Sequence, residues 1–256
     1  MNGILIINKS LGYTSRDIVN IVSKELGTKK IGHTGTLDPM ASGVLVLCVG
    51  NALKLCEMLT NHDKEYVAGI TLGIETDTLD MDGNILSTGI VDIEKEKIYD
   101  VINSFKGSYM QEVPKYSAVK VNGKKLYEYA RNNEEVELPI NKVKVYELKR
   151  ISDIKDNKFS IKCKVSKGTY IRSLVRDIGY ALGSFATMGS LNRIKQGKFD
   201  ISTSYTLDDI NNDKVVVFLY EKNDKVVGYI SVYYFLDEAN LQKIACKQRL
   251  QGAFFC

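Results

Sequence analysis

The chain is poor in the features that mark several large functional classes. It has three prolines and no low-complexity tract in 256 residues, which excludes collagen-like and disordered readings. Its five cysteines, Cys48, Cys56, Cys163, Cys246 and Cys256, show neither C-x-x-C nor paired Cys/His spacing, so neither a disulfide scaffold nor a zinc module is expected. No apolar stretch approaches the ~20 residues of a membrane span, and the opening MNGILIINKS lacks a basic head followed by an apolar run. A cytoplasmic protein with no membrane association is expected. G-x-x-x-x-G-K-[ST], G-x-G-x-x-G after a strand, and H-E-x-x-H are all absent, and there are only two histidines. TLDMDG, Thr78 to Gly83, superficially resembles a calcium loop, but it opens on Thr78 and has Gly89 where such a loop needs Glu.

What is present is an ordinary globular composition, 44% hydrophobic and 26% charged, long enough for one large domain or one with a small appendage. The net charge is only +4, yet its distribution is uneven: Lys115 to Arg176 holds sixteen Lys+Arg against seven Asp+Glu. A basic segment on a mildly acidic body suggests a polyanion-facing surface, or a solvated charged face without a partner.

Ile4 to Ile7 reads as a buried strand, and Ser15 as the cap of a helix carrying Ile18, Val19, Val22 and Leu26 and ending at Gly27. Ile31 to Gly43 reads as a loop before the apolar strand GVLVLCV, with a short helix from Ala52 to Leu59 after it. Tyr66, Ala68, Ile70 and Leu72 alternate as in a half-buried strand, and Asp92 is expected to cap a helix closed by Gly107. Ser108 to Pro139 is basic and tyrosine-rich and reads as an insertion. Two strands follow, separated by Asp156-Asn157, and then a helix from Tyr170 to Leu182. Beyond Lys214 a β-rich stretch precedes a helical pattern around Asp237 to Leu250. Strands and helices mix without a regular βαβ rhythm, which gives an α+β class with a large, mostly antiparallel sheet.

Three constellations could carry chemistry. GHTGTLDPMASG presents Asp38 at the mouth of the most apolar strand, unless Asp38-Pro39 is merely a turn initiator and His33 a surface residue. KGTYIRSLVRD sets Arg172 and Arg176 four apart on one helix face, suited to a carboxylate or a phosphate, or simply facing solvent. VPKYSAVKVNGKKLYEYAR interleaves Lys115, Lys120, Lys124, Lys125 and Arg131 with Tyr116, Tyr127 and Tyr129, a mixture that suits RNA as well as a solvated hairpin.

Taken with INKSLGYTS, KEYVAGITLGIETDTLDMDG and MGSLNRI, these blocks resemble, in order and over about the first 210 residues, the bacterial TruB family of tRNA pseudouridine-55 synthases. The resemblance implies the pseudouridine-synthase fold: a mixed sheet flanked by helices in a catalytic domain of residues 1–212. It also implies a thumb insertion at about 108–139 and a short C-terminal unit, 213–256, in which LDEANLQKIACKQRL looks like the opening helix of a PUA-like domain. Val113 departs from the proline common in the family.

The implied activity is site-specific isomerisation of uridine 55 in the TΨC loop of tRNA, after the base is flipped out of the folded arm. No cofactor or metal, no obligate protein partner and a monomer are expected, with tRNA folding assistance as a secondary role. By the same resemblance Asp38 is the essential carboxylate, Tyr66 stacks on the uracil and helps remove the C5 proton, and Arg172 pairs with the aspartate and keeps it ionised. His33 fills the space vacated by the flipped nucleotide, Tyr170 and Leu191 surround the base, and Lys9 and Lys54 are basic positions near the site. Two alternatives remain at this level: a catalytically weak RNA chaperone, and a sugar-directed hydrolase pairing Asp38 with Asp77, Asp80 or Asp82.

Overall fold

The computed structural model describes residues 2–211 and, beyond them, three strands at 215–222, 225–235 and 238–246. In chain order the elements are β1 (Gly3–Lys9), α1 (Ser15–Glu25), β2 (Ile31–His33), β3 (Ala41–Val49), a 3-10 helix (Gly50–Leu55), α2 (Cys56–Thr60), β4 (Lys64–Leu72), β5 (Ile74–Thr76), β6 (Ile85–Thr88) and α3 (Lys95–Ser104). There follow β7 (Gly107–Glu112), β8 (Lys120–Val121), β9 (Lys124–Lys125), α4 (Leu126–Arg131), β10 (Ile140–Arg150), β11 (Lys158–Val165), α5 (Ile171–Ala181), β12 (Ala186–Gln196), β13 (Phe199–Asp200), a 3-10 turn (Ile201–Thr203) and α6 (Leu207–Asn211). The last three are β14 (Val215–Lys222), β15 (Lys225–Phe235) and β16 (Glu238–Cys246). The chain forms two compact units, residues 1–62 with 193–256, and residues 63–192.

In the first unit β1 and β2 both pair antiparallel with β3. The unbroken run Val44–Val49 has no polar positions because both of its faces are covered. Leu45, Leu47 and Val49 pack with Ile18, Val19 and Val22 of α1, whereas Val44, Val46 and Cys48 pack with Ala52, Leu59 and Phe199. The expected loop from Ile31 therefore contains a short strand, β2, and ends where β3 begins at Ala41. Helix α1 is capped by Thr14 rather than Ser15. Thr14 Oγ1 accepts from Asp17 N at 3.1 Å while the Asp17 carboxylate accepts from Thr14 N at 2.8 Å, a reciprocal box that Ser15, two residues from Asp17, cannot close.

In the second unit β4, β11, β10 and β7 pair antiparallel in that order. Val143, Val145, Leu148, Phe159, Ile161, Cys163, Val165, Ala68 and Ile70 are buried, as are Ile98 and Ile102 of α3 and Leu174, Val175 and Ile178 of α5. Asp156 and Asn157 both have φ near +55°, the two-residue turn whose twist matches the flanking strands. Helix α3 starts at Lys95 after Glu94, so Asp92 lies before the cap position.

β7 takes Ser108–Glu112 into the sheet opposite Ile140 to Lys144, so the insertion expected from Ser108 leaves the body after Glu112. Val113 N donates to Pro139 O at 2.9 Å and closes its root. Within it β8 and β9 form a hairpin turned by Asn122-Gly123, and α4 follows.

The α+β class is as expected; the pairings named above, and those of β15 with β14 and β16, are antiparallel, with single parallel bridges at Ile7/Tyr205 and Asp80/Met188. The helical expectation around Asp237 to Leu250 is corrected: Glu238–Cys246 is a strand paired along β15, because a partner strand of matching length overrides an apolar spacing compatible with either period. The remainder, 237 and 247–250, lies outside the described residues.

One glycine tests the packing of this unit. A Cβ on Gly179 would lie 2.6 Å from both the backbone N and the Cβ of Ala186, where the chain turns from α5 into β12. Gly179→Ala should therefore cost about 2 to 3 kcal/mol in denaturant unfolding despite alanine's better helix propensity. A gain in stability would show that this turn yields freely.

Candidate functional site

Asp38 lies half-buried on the loop between β2 and β3, and the first unit clamps that loop by its backbone. Ser15, released from capping, accepts from Leu37 N at 2.8 Å and donates to Leu37 O at 3.1 Å. Arg193, 1% exposed, donates to Val44 O at 2.7 Å, Gly35 O at 3.0 Å and Thr36 O at 3.5 Å. Gln196 reaches Thr34 Oγ1 at 2.6 Å and Leu59 O at 3.1 Å. Ala41 N donates to Asp38 O at 3.0 Å and Gly12 N to Pro39 O at 2.9 Å, so the peptides on both sides of the carboxylate are fixed. Such a loop holds a reacting group without reorganisation.

Lys9, a basic position expected near the site, is not solvent-exposed. It is fully buried at the end of β1, and its ammonium donates to Tyr13 O at 2.7 Å, Ser10 O at 3.0 Å and Pro39 O at 3.5 Å. Burial lowers its pKa from 10.5 to about 8; Asp38 opposes the fall and Arg193 adds to it. The unfolded chain keeps this proton up to about 10.5, so between pH 8 and 10.5 it binds more protons than the folded one, and stability gains as pH rises. Thermal melts of wild type and Lys9→Met across pH 8 to 10 should show the wild type gaining on the variant with pH. A constant difference would mean that the ammonium is not destabilised.

His33, on β2, has its pKa lowered by burial and by the nearby Arg16 and Arg193 cations, so its ring is neutral at pH 7. Among the described residues its buried Nδ1 has no hydrogen-bond partner. Lys54 is exposed on the 3-10 helix.

In the second unit Tyr66, 6% exposed, lies on the buried phase of β4, in register with Cys163. Leu191 is buried on β12, and Tyr170 occupies the cap position of α5. Arg172, two residues into that helix and 5% exposed, donates to Thr78 O at 2.9 Å and Tyr116 O at 3.0 Å, and its Nη1 lies 3.7 Å from the equally buried Asp80 carboxylate. Arg176 ion-pairs with Glu112 at 2.7 Å and Asp177 at 2.8 Å. Neither arginine is a solvated helix residue. Asp80 also accepts from Asp82 N and Thr78 Oγ1, and Asp77 accepts from Asn84 N at 2.8 Å, so both acids hold the turn around TLDMDG.

In the insertion the tyrosine faces already carry cations. Lys124 Nζ lies 4.6 Å from the Tyr129 ring centre, and Lys125 and Arg131 each lie 5.3 Å from that of Tyr127. Lys124 also pairs with Glu134 at 2.6 Å.

Arg193, Gln196 and Gln111 were not singled out by the sequence, and Ser15 was read there only as a helix cap. Gln111 is 1% exposed on β7 and binds the backbone of Tyr170. Their only signal is a polar residue inside a strand or first helical turn, which periodicity scores as a solvent position.

Among the described residues no helix is long and apolar enough to cross a membrane. Residues 23–171 match the family model of the TruB family pseudouridylate synthase N-terminal domain, and residues 172–230 that of the tRNA pseudouridylate synthase B C-terminal domain. The chain is 46% identical over 255 residues to tRNA pseudouridine synthase B of Caldanaerobacter subterraneus subsp. tengcongensis, covering 99% of this chain and 88% of that protein. It is 50% identical over 218 residues to tRNA pseudouridine synthase B of Staphylococcus saprophyticus, covering 82% and 72%. A solved chain from a Cbf5-Nop10-Gar1 complex is 32% identical, with a TM-score of 0.65 over 82% of this chain and 54% of its own, so this chain spans about half the length of that neighbour. With both family models matched in succession, the chain belongs to the TruB family of pseudouridylate synthases.

Proposed function

We propose that this chain isomerises uridine 55 in the TΨC loop of tRNA to pseudouridine, acting in the cytoplasm as a monomer without a protein partner or cofactor. The observation that carries this reading is Asp38 on a loop whose carbonyls at Pro39, Gly35 and Thr34 are held by the buried Lys9, Arg193 and Gln196, in a chain 46% identical over 99% of its length to a tRNA pseudouridine synthase B. The N1–C1′ bond of the flipped nucleotide breaks, the uracil turns, C5 bonds to C1′, and the C5 proton is lost while N1 regains one. Asp38 initiates cleavage at the sugar, with Arg172 as the cation that pairs with it.

Tyr66 stacks on the uracil and helps remove the C5 proton, with Tyr170 and Leu191 beside the base. The neutral His33 fills the gap in the RNA stack, a role that needs a flat ring and no charge. Lys9 acts on the loop rather than on phosphate, because its protons are spent on backbone carbonyls. Lys54, exposed, is a phosphate contact. The hairpin and α4 between Val113 and Pro139 form the thumb that closes on the arm, reading backbone shape more than sequence.

The test is incubation of an unmodified tRNA transcript with the purified chain, followed by carbodiimide treatment and primer extension. One new stop in the TΨC loop is expected. Binding with no stop would favour an RNA chaperone instead.

A further inference from the structure

The side chain of Gln111 makes contacts that the proposed chemistry has not used. It is 1% exposed at the end of β7, and its amide grips the backbone of a single residue on another element from both sides. Oε1 accepts from Tyr170 N at 2.8 Å and Nε2 donates to Tyr170 O at 3.1 Å. The amide orientation is unambiguous, because a backbone N–H only donates and a carbonyl only accepts. The second Nε2 proton goes to the Tyr109 hydroxyl, which in turn bonds Asp177 of α5.

Tyr170 is the cap residue of α5, and that cap has no side-chain hydrogen bond of its own. A helix end left without a capping side chain frays unless another group holds it. Here the neighbouring strand does so. Ser173 Oγ adds a bond to Glu112 O at 2.9 Å, and Arg176 adds its ion pair to Glu112. The cap and first two turns of α5 are thus tied to Tyr109, Gln111 and Glu112, and this start of the helix carries Tyr170 and Arg172. The strand continues directly into the insertion, whose Tyr116 carbonyl accepts from Arg172.

We infer that Gln111 is a positioning residue for the reaction: by fixing the Tyr170 peptide it sets the place of the Tyr170 ring and of the Arg172 guanidinium. It touches neither RNA nor the reacting atoms. The inference rests on the proposed roles of Tyr170 and Arg172. Its expected signature lies in turnover and not in affinity, since a displacement of about 1 Å in a catalytic constellation costs on the order of 10²-fold in rate.

The experiment is steady-state kinetics of the full chain on an unmodified tRNA transcript for wild type, Gln111→Met, Gln111→Glu and Asp38→Asn. Gln111→Met matches the volume and removes all three bonds; kcat should fall roughly 10- to 100-fold with KM within about twofold. Gln111→Glu keeps the acceptor for Tyr170 N but loses the donor to Tyr170 O. Protonation of the new carboxyl restores a donor, so its kcat relative to wild type should climb as pH falls.

That carboxyl would face Tyr109 from its own strand and, from α5, the Asp177 carboxylate and the Arg176 guanidinium, with Glu112 adjacent. The pH comparison decides the matter even if Gln111→Met fails to fold. Unchanged kcat in folded Gln111→Met, a loss confined to KM, or an impaired Gln111→Glu whose ratio to wild type is flat with pH would each overturn the inference. Asp38→Asn separates the two levels. Activity surviving in that variant sinks the proposed chemistry and the role of Gln111 together, whereas a dead Asp38→Asn beside a fully active Gln111→Met removes Gln111 alone.

Discussion

Asp38→Asn should lower pseudouridine formation by at least about 10³-fold while leaving tRNA binding within about threefold of wild type. The substitution is nearly isosteric, and the loop that carries it is held by groups other than its side chain. Ser15 grips Leu37, Arg193 grips Gly35 and Val44, and Gly12 grips Pro39. The backbone therefore stays in place when the carboxylate becomes an amide, and what is lost is the charge and the nucleophilic or basic oxygen. A second consequence follows from the neighbouring ammonium. Asp38 raises the pKa of Lys9 against the burial that lowers it, so in the variant Lys9 should titrate below its present value of about 8. Filter binding and single-turnover assays on the same preparations check the first claim. An Asp38→Asn enzyme within tenfold of wild-type rate would remove the carboxylate from the mechanism.

The largest stability effect is expected at Arg172. Arg172→Met leaves the Asp80 carboxylate, 5% exposed and 3.7 Å from the guanidinium, without this buried cation, and strips a donor from each of Thr78 O and Tyr116 O. Breaking a buried pair from one side typically costs about 3 to 5 kcal/mol, well above the ~1 kcal/mol of an exposed pair. Denaturant unfolding should show that loss. Combining Arg172→Met with Asp80→Asn should recover part of it, because the second change removes the stranded charge. Activity should fall in both variants, since stability is regained without the guanidinium. A loss under 1 kcal/mol for the single variant would mean that Asp80 finds solvent or another donor.

Much of the architecture was legible where one physical rule governs a segment. A run such as Val44–Val49 has one explanation, burial on both faces, and Asp156-Asn157 between two alternating runs marks a two-residue turn. The spacing of Ile171, Leu174, Val175 and Ile178 fixed the buried face of α5.

The errors fall where two rules compete. Thr14 and Ser15 are both good caps, and only the carboxylate of Asp17 decides between them. Residues Leu241 to Cys246 satisfy helical spacing, and pairing with β15 decides for strand.

The site was legible only in part, for a different reason. Asp38, Tyr66 and Arg172 stand in motifs, whereas the groups that hold their surroundings bond to backbone far away in sequence. Arg193 serves carbonyls 149 to 158 residues distant and Gln111 a peptide 59 residues distant. A buried glutamine or arginine on a strand gives no periodic signal, and its partner, a carbonyl, carries no residue identity.

The central claim, that this chain turns a uracil on its sugar rather than removing it, is tested most directly with tRNA carrying tritium at uridine C5. Bond formation from C5 to C1′ expels that hydrogen, so the chain should release one uridine's worth of tritium to water per tRNA, with no free uracil and no release by Asp38→Asn. Free uracil in solution, or no tritium released to water after prolonged incubation with saturating enzyme, would contradict the account.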